Sequence, residues 1–200
     1  MKKNILSAVV LLVLICGCRG GAQKIQNASV ATVRSDIKRI AVIDFEFDRP
    51  ERETINMGHV TRPKNAGSIM ADIFAEKLLE TGMYQLVERK QIKNVMDEHG
   101  LSMSGMLENS SLEEVGNILQ VEGLVMGNVS DYADAMCGLY WGSTVNYSAR
   151  LVDIKTGLVV WSVTGHIDIP FGNANTAAQV SADSAVKELL KKMKKAYETK

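Results

Sequence analysis

Ile37-Lys38-Arg39-Ile40-Ala41-Val42-Ile43-Asp44-Phe45 decides the reading of the fold. Its centre is a continuous apolar run, the pattern of a strand whose two faces are both covered. From there it alternates. Ile43, Phe45 and Phe47 point one way, and Asp44, Glu46 and Asp48 the other. A strand covered on both faces needs helices, and the downstream chain supplies them. Gly67 to Thr81 carries Ile69, Met70, Ile73, Phe74 and Leu78 at helical spacing, with Lys77 flanking the stripe and Gly82 placed to end it. Tyr84-Gln85-Leu86-Val87 reads as a short strand. Arg89 to His99 reads as a second helix, with Ile92, Val95 and Met96 inward and Gly100 as its stop. Ser110 to Gln120 reads as a third, with Ser110 and Glu113, and Ser111 and Glu114, in capping-box spacing.

Leu124 to Val129 reads as a strand. Ser143 to Ile154 and Leu158 to Ile169 read as a hairpin around Lys155-Thr156-Gly157, where glycine supplies the turn. The last helix runs from about Thr176 to Tyr197, with Ala178, Ala182, Ala185, Val186, Leu189, Leu190, Met193 and Tyr197 on one face. Its lysine-rich end complements the helix dipole. Three stretches carry no regular pattern: the polar loop Arg49 to Asn65, with Pro50, Gly58 and Pro63; the loop Leu101 to Asn109; and Asp131 to Gly142. The order β-α-β-α-α-β-β-β-α predicts an α/β fold: one domain, a mixed β-sheet with helices packed on it.

Upstream lies a different kind of segment. Met1-Lys2-Lys3-Asn4 is basic, and Ile5 to Ile15 is apolar apart from Ser7. The run is shorter than the ~20 residues that span a bilayer, and it fits the core of a signal peptide. Leu14-Ile15-Cys16-Gly17-Cys18 resembles the bacterial lipobox, with Cys18 as the lipidation site. Residues 1–17 are then a lipoprotein signal peptide. Residues 18–36, polar and small, read as the lipidated cysteine and a flexible tether. Residues 37–200 form the domain. More than one acyl chain anchors a protein stably, so the N-terminal lipid would hold the domain at the membrane. Arg19 lacks the inner-membrane retention signal of lipoprotein sorting. The expected address is therefore the periplasmic face of the outer membrane.

Composition narrows the function. The chain has 23 basic and 23 acidic residues, so it has no electrostatic footprint for nucleic acid. Beyond Cys18 only Cys137 remains after cleavage, which leaves no internal disulfide. His59, His99 and His166 stand in no metal-ligand spacing. Asp44, Glu46 and Asp48 share a strand face, but a solvated strand end explains them. Glu88-Arg89 reads as a helix start, and Asp153 as a turn cap. Ser102 and Ser104 lack a His-Asp partner set. No catalytic residues, metal ligands or cofactors are expected. Tyr140 and Trp141, with Met136, form an apolar cluster that is a candidate contact for a partner or the membrane, with core packing as the alternative.

From Ile40 to Gly157 the chain resembles the CsgG family, the curli production and secretion-channel lipoproteins. The segments that carry the resemblance are Ile40 to Phe45, Ala71 to Leu79, Gly82-Met83-Tyr84-Gln85-Leu86-Val87-Glu88-Arg89, Gln91-Ile92, Glu98-His99-Gly100-Leu101, Ser104-Gly105, Val121-Glu122-Gly123-Leu124-Val125-Met126-Gly127 and Leu151-Val152-Asp153-Ile154-Lys155-Thr156-Gly157. The resemblance implies a non-enzymatic outer-membrane lipoprotein. It would act by self-assembly or protein-partner binding in curli-type secretion or envelope assembly. Pore-forming members carry two long amphipathic hairpins, and a membrane strand needs about 9–11 alternating residues. Asp131 to Gly142 is short by that measure, which weighs against a pore-forming channel subunit. A similar α/β core serves as a binding domain in LpoB-like lipoproteins that activate penicillin-binding proteins.

Overall fold

A computed structural model of the chain describes residues 23–32, 34, 36–55, 58–98 and 109–198. The signal segment, Cys18, His99, Ser102 and Ser104 lie outside them. In chain order the elements are β1 (Gln23–Val30), β2 (Arg39–Val42), β3 (Arg52–Ile55), β4 (Gly58–Thr61), α1 (Ala66–Glu80), β5 (Gln85–Leu86), α2 (Arg89–Glu98), α3 (Asn109–Leu119), β6 (Gly123–Cys137), β7 (Tyr140–Asp153), β8 (Val159–Pro170) and α4 (Ala174–Glu198). They form one mixed eight-stranded sheet in the order β1-β8-β7-β6-β2-β5. β4 pairs the far half of β6, and β3 pairs β4. Among the described strands β2 pairs in parallel with β5 and β6, and a parallel bridge from Glu46 to Asn128 follows it; the other pairings are antiparallel.

Helices cover the sheet on both faces, as the apolar run in β2 requires. On one face α1 and α4 bury Phe45, Met70, Phe74, Leu78, Tyr147, Trp161 and Leu189. Ala178, Ala182 and Ala185 are fully buried, which brings the α4 backbone close to the strands. On the other face α2 and α3, with Ile92 and Leu119 inward, cover part of the sheet over Ile43, Leu124 and Val152.

Ile43 and Phe45, expected on one face, lie on opposite faces because regular β2 ends at Val42. Three segments also differ from the sequence reading, each for a definable reason. Residues 23–30, expected as part of the tether, form β1 and pair with β8 from Gln23↔Asp168 to Val30↔Trp161. The inward positions are Gln26, Ala28 and Val30, and Gln26 donates through Nε2 to the buried Ser181 hydroxyl at 2.8 Å. A polar pair replaces the usual apolar contact, so no hydrophobic alternation marks the strand. Second, the loop Arg49 to Asn65 contains the β3–β4 hairpin. Its buried Arg62 donates to Asp131 at 2.8 Å and Glu53 at 3.1 Å, tying the hairpin to β6.

The third difference is Asp131 to Gly142, which is regular: β6 and β7 continue through it in register to Cys137↔Tyr140. Its acids masked the strand because each has a specific task. Asp131 sits at a register shift and meets Arg62. Asp134 accepts from the first backbone N–H of α4, Ala174, at 2.7 Å and from the Ser143 hydroxyl at 2.8 Å. Gly138, at φ +59, supplies the left-handed residue of a two-residue turn.

Candidate functional site at the sheet tip

The β6–β7 turn and the end of β8 build an uncovered apolar tip. Met136 and Trp141 are opposite one another in register, and His59 of β4 lies opposite Met136 on the other side. Phe171 follows β8 and donates its N–H to the Trp141 carbonyl at 2.9 Å, extending the row. The Phe171 ring stands edge-on to Trp141, with centroids 4.9 Å apart. It also meets Tyr140 at 5.5 Å. Both geometries are favoured for aromatic pairs. Yet the cluster is open to solvent: Leu139 is 95% exposed, Phe171 61% and Trp141 51%. From Ala135 to Gly142 and from Ile169 to Gly172 there is no Asp, Glu, Lys, Arg or His.

Single exposed apolar residues are ordinary, whereas a contiguous uncharged cluster is a candidate contact surface. The backbone adds a second sign. Phe171 has φ +56, a conformation that costs a non-glycine residue roughly 1–2 kcal/mol. That strain holds an exposed aromatic against Trp141, and strain of this kind concentrates at functional positions. The sequence reading singled out Tyr140 and Trp141 and placed Met136 with them. It missed Phe171 and Leu139. Phe171 lies 30 positions from Trp141 and reaches it only through the β7–β8 register.

The other side chains weighed for chemistry have structural partners. Arg89 donates to the Val42 carbonyl at 2.9 Å and to the Ser68 hydroxyl at 3.2 Å, and it pairs with Asp44 and Asp72. It thereby clamps the end of β2 to α1. Asp153 is buried; it accepts from the Lys155 N–H at 3.0 Å and the Thr156 hydroxyl at 2.8 Å, capping the β7–β8 turn as expected. Arg34 reaches Asp153 at 2.6 Å. The same guanidinium, hydrogen-bonded to Asp36, holds that carboxyl down at about 2. Among the described residues no three His, Cys, Asp or Glu are grouped to hold a metal.

Two clefts are candidate ligand sites. One of about 390 Å³ lies on the open sheet face beside Glu46, Asn128, Ser148, Arg150 and Thr164. The other, about 600 Å³, lies beside Arg62, Tyr132 and Asn173. Burial pushes the Tyr132 hydroxyl up to about 12, so it stays protonated. Neither lining contains a histidine or cysteine, so neither sets a nucleophile beside an imidazole base.

Comparison with known proteins fits this architecture. The fold is similar to the PelC dodecamer protomer from Paraburkholderia phytofirmans, with a TM-score of 0.53 at 17% identity over 84% of this chain and 97% of that one. It is also similar to lipoprotein GNA1162 from Neisseria meningitidis, with a TM-score of 0.57 at 19% identity over 76% of this chain and 97% of that one. No curated protein matches the sequence. The model of the family described as "Curli production assembly/transport component CsgG" matches residues 21–180. That span starts at the edge of β1 and takes in the whole sheet, and the chain belongs to the CsgG family.

Proposed function

We propose that the chain is a lipid-anchored envelope protein on the periplasmic face of the outer membrane. It is held there by Cys18, and it acts without catalysis by assembling with copies of itself in curli-type secretion or envelope assembly. The observation that carries this reading is the sheet edge. β1 is eight residues long and pairs only with β8 among the described residues. It lacks the proline or bulge that natural edges use against pairing, and Lys24 guards only its start. At the opposite edge of the same half of the sheet, β3 is likewise paired on one side. The alternation of antiparallel neighbours makes β1 and β3 run in opposite directions. Copies set side by side therefore continue an antiparallel sheet, the head-to-tail arrangement that builds rings. The dodecameric state of the PelC relative supports the same reading.

A tethered module fits better than a pore-lining subunit. Helical cover on the β6–β7 hairpin ends near Ala133 and Ser143, both buried. The part beyond is shorter than the ~9–11 residues per strand that a membrane barrel needs. Light scattering of the full-length lipidated protein in mild detergent tests assembly. The expected mass, after subtraction of detergent, is a fixed multiple of the protomer. A chain that stays monomeric at micromolar concentration overturns self-assembly. Recovery of a different envelope protein by crosslinking would then leave partner binding as the mode of action.

A further inference from the structure

We infer that the Leu139-Tyr140-Trp141-Phe171 tip inserts into the lipid interface beside the N-terminal anchor and sets the tilt of the domain on the membrane. This rests on the lipidation of Cys18. The argument is one of direction and length. β8 runs toward the tip, and β1 pairs with it antiparallel, so β1 begins at the tip end. Gln23 lies opposite Asp168, three residues before Phe171. At ~3.3 Å per residue that is about 10 Å along the strand. Cys18 precedes Gln23 by five positions, which allows a reach of at most about 17 Å. β1 itself, at eight residues, is about 26 Å long. The tether is therefore too short to carry the acyl chains to the other end of the sheet. The lipid surface lies on the side of the tip.

The chemistry of the tip suits that surface. Tyr and Trp rings favour the boundary between headgroups and acyl chains, where an apolar body and a polar atom are both accommodated. Leu139, at 95% exposure, is the most protruding apolar side chain of the tip. The absence of charged residues from the tip removes the desolvation cost that would oppose entry.

The chain has two tryptophans, and they make the test selective. Trp161 is fully buried in the core, donating to Tyr84 at 3.1 Å, whereas Trp141 is half exposed on the tip. The full-length lipidated protein is reconstituted in phosphatidylethanolamine/phosphatidylglycerol vesicles with and without brominated acyl chains. Bromine quenches only tryptophans at the bilayer. The expected result is quenching of Trp141 and none of Trp161, the latter read alone in a Trp141→Phe variant. The double variant Leu139→Ser, Phe171→Ser should lower Trp141 quenching at least twofold. An unchanged Trp161 spectrum, read with Trp141→Phe added to the double variant, shows that this variant is folded. Trp141 unquenched in a chain whose intact mass shows acylated Cys18 overturns the inference and leaves the anchor standing. Trp141 shielded from both bromolipid and aqueous iodide also overturns it, because protein then covers the tip. An unacylated chain overturns both readings.

Discussion

Phe74→Ala is expected to lower the unfolding free energy by about 3–5 kcal/mol. Phe74 on α1 is fully buried. Its ring meets three others: Phe45 at 6.0 Å, Tyr147 at 6.2 Å and Trp161 at 6.2 Å. Those partners come from the chain after β2, from β7 and from β8, so one side chain joins α1 to widely separated parts of the sheet. Truncation removes the apolar transfer term and leaves a cavity that three rigid rings cannot readily fill. Urea unfolding followed by Trp161 fluorescence measures the loss. A change near 1 kcal/mol would show that the site collapses and that the cluster is not a keystone of the fold.

Gly67→Ala sets two effects against each other, and their magnitudes decide the sign. Alanine is the better helix former by about 1 kcal/mol in a helix interior. Gly67, in the first turn of α1, is buried. A Cβ there would lie 1.9 Å from the Phe45 carbonyl oxygen. That oxygen is backbone, and the neighbouring Phe45 N–H donates to the Gly67 carbonyl at 3.3 Å. The helix would have to move off the strand end. Overpacking of this kind costs typically 1–3 kcal/mol and can cost more, which outweighs the propensity gain. The variant is expected to melt several degrees lower, as calorimetry would show. A raised melting temperature would mean that propensity wins and that the close approach is not tight.

What the sequence displayed, and what it hid, follows from how each segment is stabilised. β2 was legible because covering both faces demands a continuous apolar run. α4 was legible from its alanine and leucine stripe, and the β7–β8 turn from Lys155-Thr156-Gly157. Segments stabilised by polar contacts were not legible. β1 buries Gln26 against Ser181 rather than a hydrophobe, so it resembled tether. The outer half of β6 carries Asp131 and Asp134, whose partners Arg62 and the start of α4 come from elsewhere in the chain. Tyr140 and Trp141 stood out by composition alone. Phe171, the ring that joins them, did not, because its contact depends on a register and on a positive φ that local pattern does not encode. Arg89, legible only as part of a helix start, also serves as a clamp, hidden for the same reason: Asp44 and Asp72 meet it only in three dimensions.

The anchor at Cys18 lies under both the assembly and the tip, so the most direct measurement is the intact mass of the mature protein extracted from membranes. The expected chain begins at Cys18 and carries the added mass of more than one acyl chain. In a Cys18→Ser variant the acyl mass should be missing. A native chain that retains residues 1–17, begins at another residue, or begins at Cys18 without acyl mass would contradict the account.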